Sequence, residues 1–372
     1  MTSRLHRFDW ILFSAVAILM VLSCLFIYSA DYRNDDAVGN LMGRQVVWAL
    51  IGLGCYVAAA MLDYRKLTGL HWWIYLASLI ALVLVLFVGM SVYGAHSWFR
   101  VGNLTVQPSE FAKLALIFTL AAWLGDPATD IGHLKTFILA FVLAGIPFLL
   151  IAVQPDIGSA MVLVPIVMLV LFCAGVPLKP FLTIIGLGAA VLLVLIVWLL
   201  VFPDSLPLAD YQKNRILVYL NVNQDPLGAG WNKLQSQIAV GSGGLFGKGF
   251  LKGTQNILGF LPRTVAPTDF IYSVVAEETG FAGSSFLLVL YTIVVVRCMR
   301  AAVIARDLFG RLLAAGVSVL IFSHVFINIA MTIGLMPITG VPLPLMSYGG
   351  TFMVSTMTAL GLVQSICMRR RI

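Results

Sequence analysis

Apolar residues in this chain fall in long unbroken windows, at about 10–30, 45–62, 70–90, 110–124, 136–153, 157–174, 181–201, 281–299, 311–333 and 350–368. Roughly 20 consecutive apolar residues cross the hydrocarbon core of a bilayer as a helix. The pattern therefore predicts an all-α polytopic membrane protein with about ten transmembrane helices, built as one domain over 1–372. A transmembrane β-barrel is excluded, because its strands would alternate polar and apolar residues. No spanning window falls between the seventh and eighth helices, so residues 202–268 are expected to form one large loop. The first window is too long for a secretory signal and reads as an uncleaved anchor.

Composition strengthens this reading: 60% of the residues are hydrophobic, only 10% are charged, and the mean hydropathy is +1.00. A soluble domain carries roughly a quarter charged residues. The net charge of +7 reports sidedness before any nucleic-acid partner. With the N-terminus placed in the cytoplasm, cytoplasmic segments hold 13 Lys and Arg, whereas the short outer loops hold only Arg33, Arg44 and Arg100. Both termini are thus expected in the cytoplasm, and the 202–268 loop outside. The five cysteines are scattered through apolar stretches, with neither a disulfide framework nor a zinc signature.

Polar and Gly/Pro anomalies gather at the outer ends of the helices. They include Trp98-Phe-Arg100, Gln107-Pro-Ser-Glu110-Phe-Ala-Lys113, Gln154-Pro-Asp156, Pro267-Thr268-Asp269 and the run from Pro337 to Gly350, with Ser347 and Tyr348. On the expected topology the even-numbered helices all start outside. Their unpaired N–H groups and positive dipole ends then face one surface, where an anion would be held. Glu110 and Lys113 share a helix face, and ionisable groups in a membrane are costly enough to suggest function. Asp156 reads first as a helix cap. Asp269 precedes an amphipathic stretch, 270–280, that leads into the eighth span; capping and catalysis are equally good readings of its position.

The long loop is cationic, with Lys213, Arg215, Lys233, Lys248, Lys252 and Arg263. Its segment 241–249 fails as a nucleotide-binding P-loop, because Ser242 replaces the first glycine and Gly249 the final Ser/Thr. A glycine-rich backbone beside lysines is still expected to cradle a phosphate. Residues 210–220 and 232–239 read as short amphipathic helices lying on the membrane. His324 and Asn328, one turn apart, read as interhelical hydrogen-bonding groups. The composite is an outward-facing cleft with cations and carboxylates at headgroup level, suited to a lipid-linked pyrophosphate sugar.

The motifs 107–113, Gln154-Pro-Asp156-Ile-Gly158, Gln235 to Gly244, Asp269-Phe-Ile with Glu277-Glu278-Thr-Gly280, and Pro342 to Gly350 resemble the SEDS family (shape, elongation, division and sporulation) of bacterial peptidoglycan glycosyltransferases. The segments Gly340-Val-Pro-Leu-Pro-Leu and 247–254 are closer to its RodA branch than to FtsW. The resemblance implies polymerisation of lipid II outside the cytoplasmic membrane, beside a class B penicillin-binding protein and other elongation-complex membrane proteins, without nucleic acid. It marks Asp269 as the general base. Trp98, Arg100, Glu110, Lys113, Gln154, Asp156, Lys213, Arg215, Lys248, Arg263, Thr268, Ser347 and Tyr348 are the expected substrate-binding residues. Ser97 departs from the basic residue common in relatives, which shifts the expected phosphate contact toward Arg100. No cofactor is certain from the sequence; a divalent cation stays open as an alternative, although no ligand spacing indicates its site. A lipid II flippase and a non-catalytic scaffold are the competing readings.

Overall fold

The computed structural model describes residues 7–32, 41–92, 95–102, 104–201, 215, 217–219, 228–262 and 264–370. Lys213 and Arg263, both expected in the site, lie outside the described residues. The helices are α1 (Trp10–Asp31), α2 (Leu41–Met61), α3 (His71–Val88), α4 (Pro108–Leu124), α5 (Leu134–Val153), α6 (Ile157–Ala174) and α7 (Leu178–Val201). There follow α8 (Ala229–Ser242), the one-turn α9 (Thr254–Ile257), α10 (Ile271–Ile304), α11 (Leu308–Thr332) and α12 (Gly350–Met368). Among the described residues, eight helical stretches are long and apolar enough to cross a membrane: α1, α2, α3 with the 3-10 turn before it, α5, α6, α10, α11 and α12. Of the other two expected spans, α4 has 17 residues and α7 has 24.

Aspartates set several helix starts. Asp9, Asp156 and Asp307 each accept a first-turn backbone N–H of α1, α6 and α11, filling donors that a helix cannot pair internally. The interior is built around α11 and α12, most of whose side chains are buried. Close helix approach uses glycine where nothing larger fits. A Cβ at Gly361 of α12 would lie 2.5 Å from the Tyr56 carbonyl of α2. The end of α10 is tied to the start of α1 by the Arg297–Asp9 ion pair, 2.6 Å long and little exposed. In contrast, no described side chain of α7 is buried.

Three features differ from the expectation. Between α3 and α4 the chain forms a small antiparallel sheet of β1 (Met90–Val92), β2 (Ala95–Val101) and β3 (Leu104–Val106), in that order. β1 and β3 have only three residues each, and the seven of β2 place Trp98 and Phe99 side by side without alternation, so an all-helical reading passed over them. The sheet docks through Ser97, which donates to the Gln154 carbonyl at 2.9 Å, and through Thr351, which donates to the Thr105 carbonyl at 3.0 Å.

Residues 232–239 lie within a longer helix whose polar side chains turn inward and whose exposed Leu234 and Ile238 share one face. They belong to α8, which packs on α10 and α11, and Ser236 is fully buried, bonding to Ser273 at 2.7 Å and to the Thr332 carbonyl at 2.8 Å. The polar side chains of α8 that the sequence shows are spent on an internal contact, with Lys233, Gln235 and Ser236 buried.

The eighth span starts at Ile271, ten residues before its apolar run, and breaks at Gly280 (φ 64°, ψ −159°). The stretch 270–278 is buried on all sides rather than amphipathic. Segment 243–249 splints the break. Phe281 and Ala282 donate to the Gly244 and Leu245 carbonyls at 2.8 and 3.0 Å, while Lys248 and Gly249 donate to the Glu277 and Glu278 carbonyls at 3.0 Å each. Broken backbone in a membrane protein persists only where protein repairs its hydrogen bonds. The glycine-rich segment spends its N–H groups on this repair and has none left at Lys248 and Gly249 to cradle a phosphate.

Candidate functional site

The starts of α4, α6, α10 and α12 converge on one pocket of about 710 Å³. Helix α4 contributes Gln107 and Glu110, and the α5–α6 turn contributes Asp156. The segment before α10 contributes Thr268 and Asp269, and the start of α12 contributes Tyr348 and Phe352. Trp98 of β2 and Arg215 close the wall, and Gly340 lies opposite Asp269. A Cβ built on Gly340, whose φ is +73°, would stand 3.5 Å from Asp269 Oδ2. Glycine here supplies a left-handed turn that other residues adopt at a cost.

The charge of the pocket is not what the sequence predicts. Among the described residues it is lined by three carboxylates, Glu110, Asp156 and Asp269, against the single guanidinium of Arg215. Several expected cations point elsewhere. Arg100 sits exposed on β2 and donates to the Gly102 carbonyl at 3.1 Å. Lys248 pairs with the buried Glu277 at 2.7 Å and bonds Thr254 at 2.6 Å, tying down the splint. Lys113 is fully buried behind the pocket wall. Its Nζ lies 2.9 Å from Glu110 Oε1 and 3.0 Å from His324 Nε2. Breaking such a pair strands one charge in the interior, typically at about 3–5 kcal/mol.

Two other expected contacts prove to be internal. Gln154 donates to the Leu82 carbonyl at 2.9 Å and is fully buried. Ser347 accepts from the Leu343 N–H at 2.8 Å and donates to the Thr268 carbonyl. Thr268 does not cap α10; its hydroxyl bonds the Val265 carbonyl at 3.2 Å, and Phe270 is the cap residue. Asp156 both caps α6 and accepts from Gln107 Nε2 at 2.8 Å, which fixes its carboxylate in the wall. Trp98, Glu110, Asp156, Arg215, Thr268, Asp269 and Tyr348 are thus brought together, while Arg100, Lys113, Gln154, Lys248 and Ser347 do not line the pocket.

Enclosure pushes the Asp269 carboxyl well above the ordinary carboxylate range, to about 6. The Arg215 guanidinium and the Thr268 hydroxyl pull it down, and Asp156 adds a smaller upward push. A carboxylate of this pKa is ionised at neutral pH yet basic enough to take a proton, the balance general-base chemistry requires. Among the described residues no group of three or more His, Cys, Asp or Glu side chains is placed to hold a metal ion. Sequence reasoning gave Asn328 no part in the site. It donates to the Asp269 and Val341 carbonyls at 2.9 and 2.8 Å; its one-turn spacing from His324 was the only signal.

Residues 6–372 match the family model FtsW/RodA/SpoVE, described as cell cycle protein. The chain is 38% identical over 353 residues to the peptidoglycan glycosyltransferase MrdB of Escherichia coli strain K12, covering 95% of this chain and 91% of that one. It is 33% identical to the peptidoglycan glycosyltransferase RodA of Treponema pallidum strain Nichols, covering 98% of each. Among solved structures it is similar to a chain of a peptidoglycan synthase complex (TM-score 0.80, 33% identity, 98% of each chain). It is also similar to the rod shape determining protein RodA of Thermus thermophilus (TM-score 0.71, 31% identity, 98% of this chain and 97% of that one). With a family match over nearly its whole length and relatives above 30% identity, the chain belongs to the FtsW/RodA/SpoVE family.

Proposed function

We propose that this protein is a peptidoglycan glycosyltransferase that polymerises lipid II into glycan strands at the outer face of the cytoplasmic membrane during cell elongation. The peptidoglycan glycosyltransferase names of the Escherichia coli and Treponema pallidum relatives support the activity. The observation that carries the assignment to a site is the enclosed Asp269 carboxylate on the wall of a pocket ringed by helix starts.

In the proposed reaction Asp269 accepts the proton of the acceptor sugar's 4-hydroxyl. The freed oxygen attacks the anomeric carbon of the donor from the face opposite the pyrophosphate, and the C–O bond to that group breaks with inversion. Pyrophosphate departs without prior protonation, so a single carboxylate serves where ordinary glycoside hydrolysis uses two. Arg215 and the N-terminal ends of α4, α6 and α12 supply positive potential for the leaving phosphates. Both termini lie in the cytoplasm, and a class B penicillin-binding protein crosslinks the product. Similarity to a chain from a complex that coordinates polymerisation and crosslinking supports that partnership.

The test supplies labelled lipid II to the purified protein, with and without its transpeptidase partner. The wild type is expected to form glycan ladders and Asp269→Asn none. Translocation of lipid II into vesicles without polymer would favour a flippase. If neither activity appears and Asp269→Asn still supports growth, the protein is a scaffold.

A further inference from the structure

Three consecutive main-chain carbonyls at Asp269 lie outside any helix ladder, and each is held by a group from α11 or from the segment just before α12. The Pro267 carbonyl accepts from the Tyr348 N–H at 2.8 Å. The Thr268 carbonyl accepts from the Ser347 hydroxyl, and the Asp269 carbonyl from Asn328 Nδ2 at 2.9 Å. Asn328 is fully buried in α11, and its second N–H reaches the Val341 carbonyl at 2.8 Å. Both neighbours are acceptors only, so the amide must face them with its nitrogen. One side chain therefore joins the residue carrying the carboxylate to the loop whose Gly340 faces that carboxylate's Oδ2.

The third polar valence of this amide is the telling one. Asn328 Oδ1 is buried and has no hydrogen-bond partner among the described residues. An orphaned buried acceptor destabilises a fold, and proteins break such local rules mainly at functional sites. The amide's two N–H groups pair two buried carbonyls, and the same two bonds hold the chain on either side of the reacting carboxylate.

We propose that Asn328 is the positioning residue of the Asp269 base, with Ser347 as its second anchor, the two fixing the carboxylate's distance and direction to the acceptor hydroxyl. The inference rests on the reading of Asp269 as base. A base displaced by about 1 Å from a productive geometry loses roughly 100-fold in rate. Neither Asn328 nor Ser347 touches the substrate, so the loss falls on kcat and leaves binding largely intact.

The test measures initial rates of glycan formation against lipid II concentration for wild type, Asn328→Leu, Ser347→Ala and Asp269→Asn, each normalised to folded protein by size-exclusion chromatography. The expected result for Asn328→Leu is a kcat about 100-fold lower with KM within about threefold of wild type, and an acid limb of the pH–rate profile displaced from that of wild type. A kcat within about threefold of wild type, or a loss confined to KM, overturns the proposal. Should Asn328→Leu not accumulate as folded protein, Ser347→Ala decides. A kcat lowered by about 10-fold at unchanged KM supports the clamp, and an unchanged kcat refutes it. The Asp269→Asn control separates the two claims: an inactive control beside a fully active Asn328→Leu removes the clamp and leaves the base standing, whereas an active control removes the base itself.

Discussion

A base works best when its pKa lies just below the working pH, and Asp269, at about 6, meets that condition through enclosure partly offset by Arg215. The sign of the pH response follows. Above about 6 the carboxylate is free to accept a proton, and below it the carboxyl is already protonated. Polymerisation is therefore expected to fall as pH is lowered through about 6, read as the acid limb of kcat/KM. Replacing Arg215 with Gln removes the main group that stabilises the ionised form, so the limb should move to higher pH; a limb that stays put or moves down would show that Arg215 does not act on Asp269. Carboxylates were the legible part of this site: Glu110 stands in an apolar window, where a charge is conspicuous and costly, while Asp156 and Asp269 stand just ahead of helices and Asp269 was singled out by its motif. Gln154 and Ser347 were not legible in the same way. A motif shows that a polar group is present, not whether it turns to a pocket or to a backbone carbonyl, and both turn to carbonyls.

At the level of elements, long apolar windows gave helix positions well, since 3.6-residue periodicity is irrelevant where every face is apolar and only length matters. What they hid was backbone that is neither span nor loop. The arm 271–279 carries Glu277 and Glu278, so its hydropathy resembles that of an interfacial segment, yet Lys248 and Ser29 pair these carboxylates inside the protein. Gly280 is the junction, and its requirement is steric as well as conformational. A Cβ there would sit 2.3 Å from the Gly247 nitrogen at a φ of +64°. Gly280→Ala is thus expected to disrupt the contact between the arm and segment 243–249 and to lower the yield of monodisperse protein in detergent, measured by fluorescence-detected size exclusion. As a control, Gly145→Ala on α5 meets nothing within 4 Å and should be silent. A Gly280→Ala protein of wild-type yield and melting temperature would show that the junction tolerates a side chain.

For the molecule as a whole, sidedness came from counting basic residues, and it has a direct check. Thr264 lines the same pocket as Gln107 and Glu110 at the start of α4, while Ala128 lies beyond the end of that helix. Seventeen helical residues separate those ends by about 25 Å. In a background lacking the five native cysteines, Thr264→Cys should react with an impermeant thiol reagent in intact spheroplasts, and Ala128→Cys only after the membrane is opened. The reverse pattern would place the pocket in the cytoplasm and remove access to an external acceptor. The cut in α10 has a mechanical consequence. An unbroken helix is a stiff rod, so a push on its far end would arrive at the carboxylate undiminished. Here the two lengths of α10 meet at Gly280 and are joined again by the strap 243–249, so whatever force reaches Asp269 from the far end is carried in part by those four hydrogen bonds.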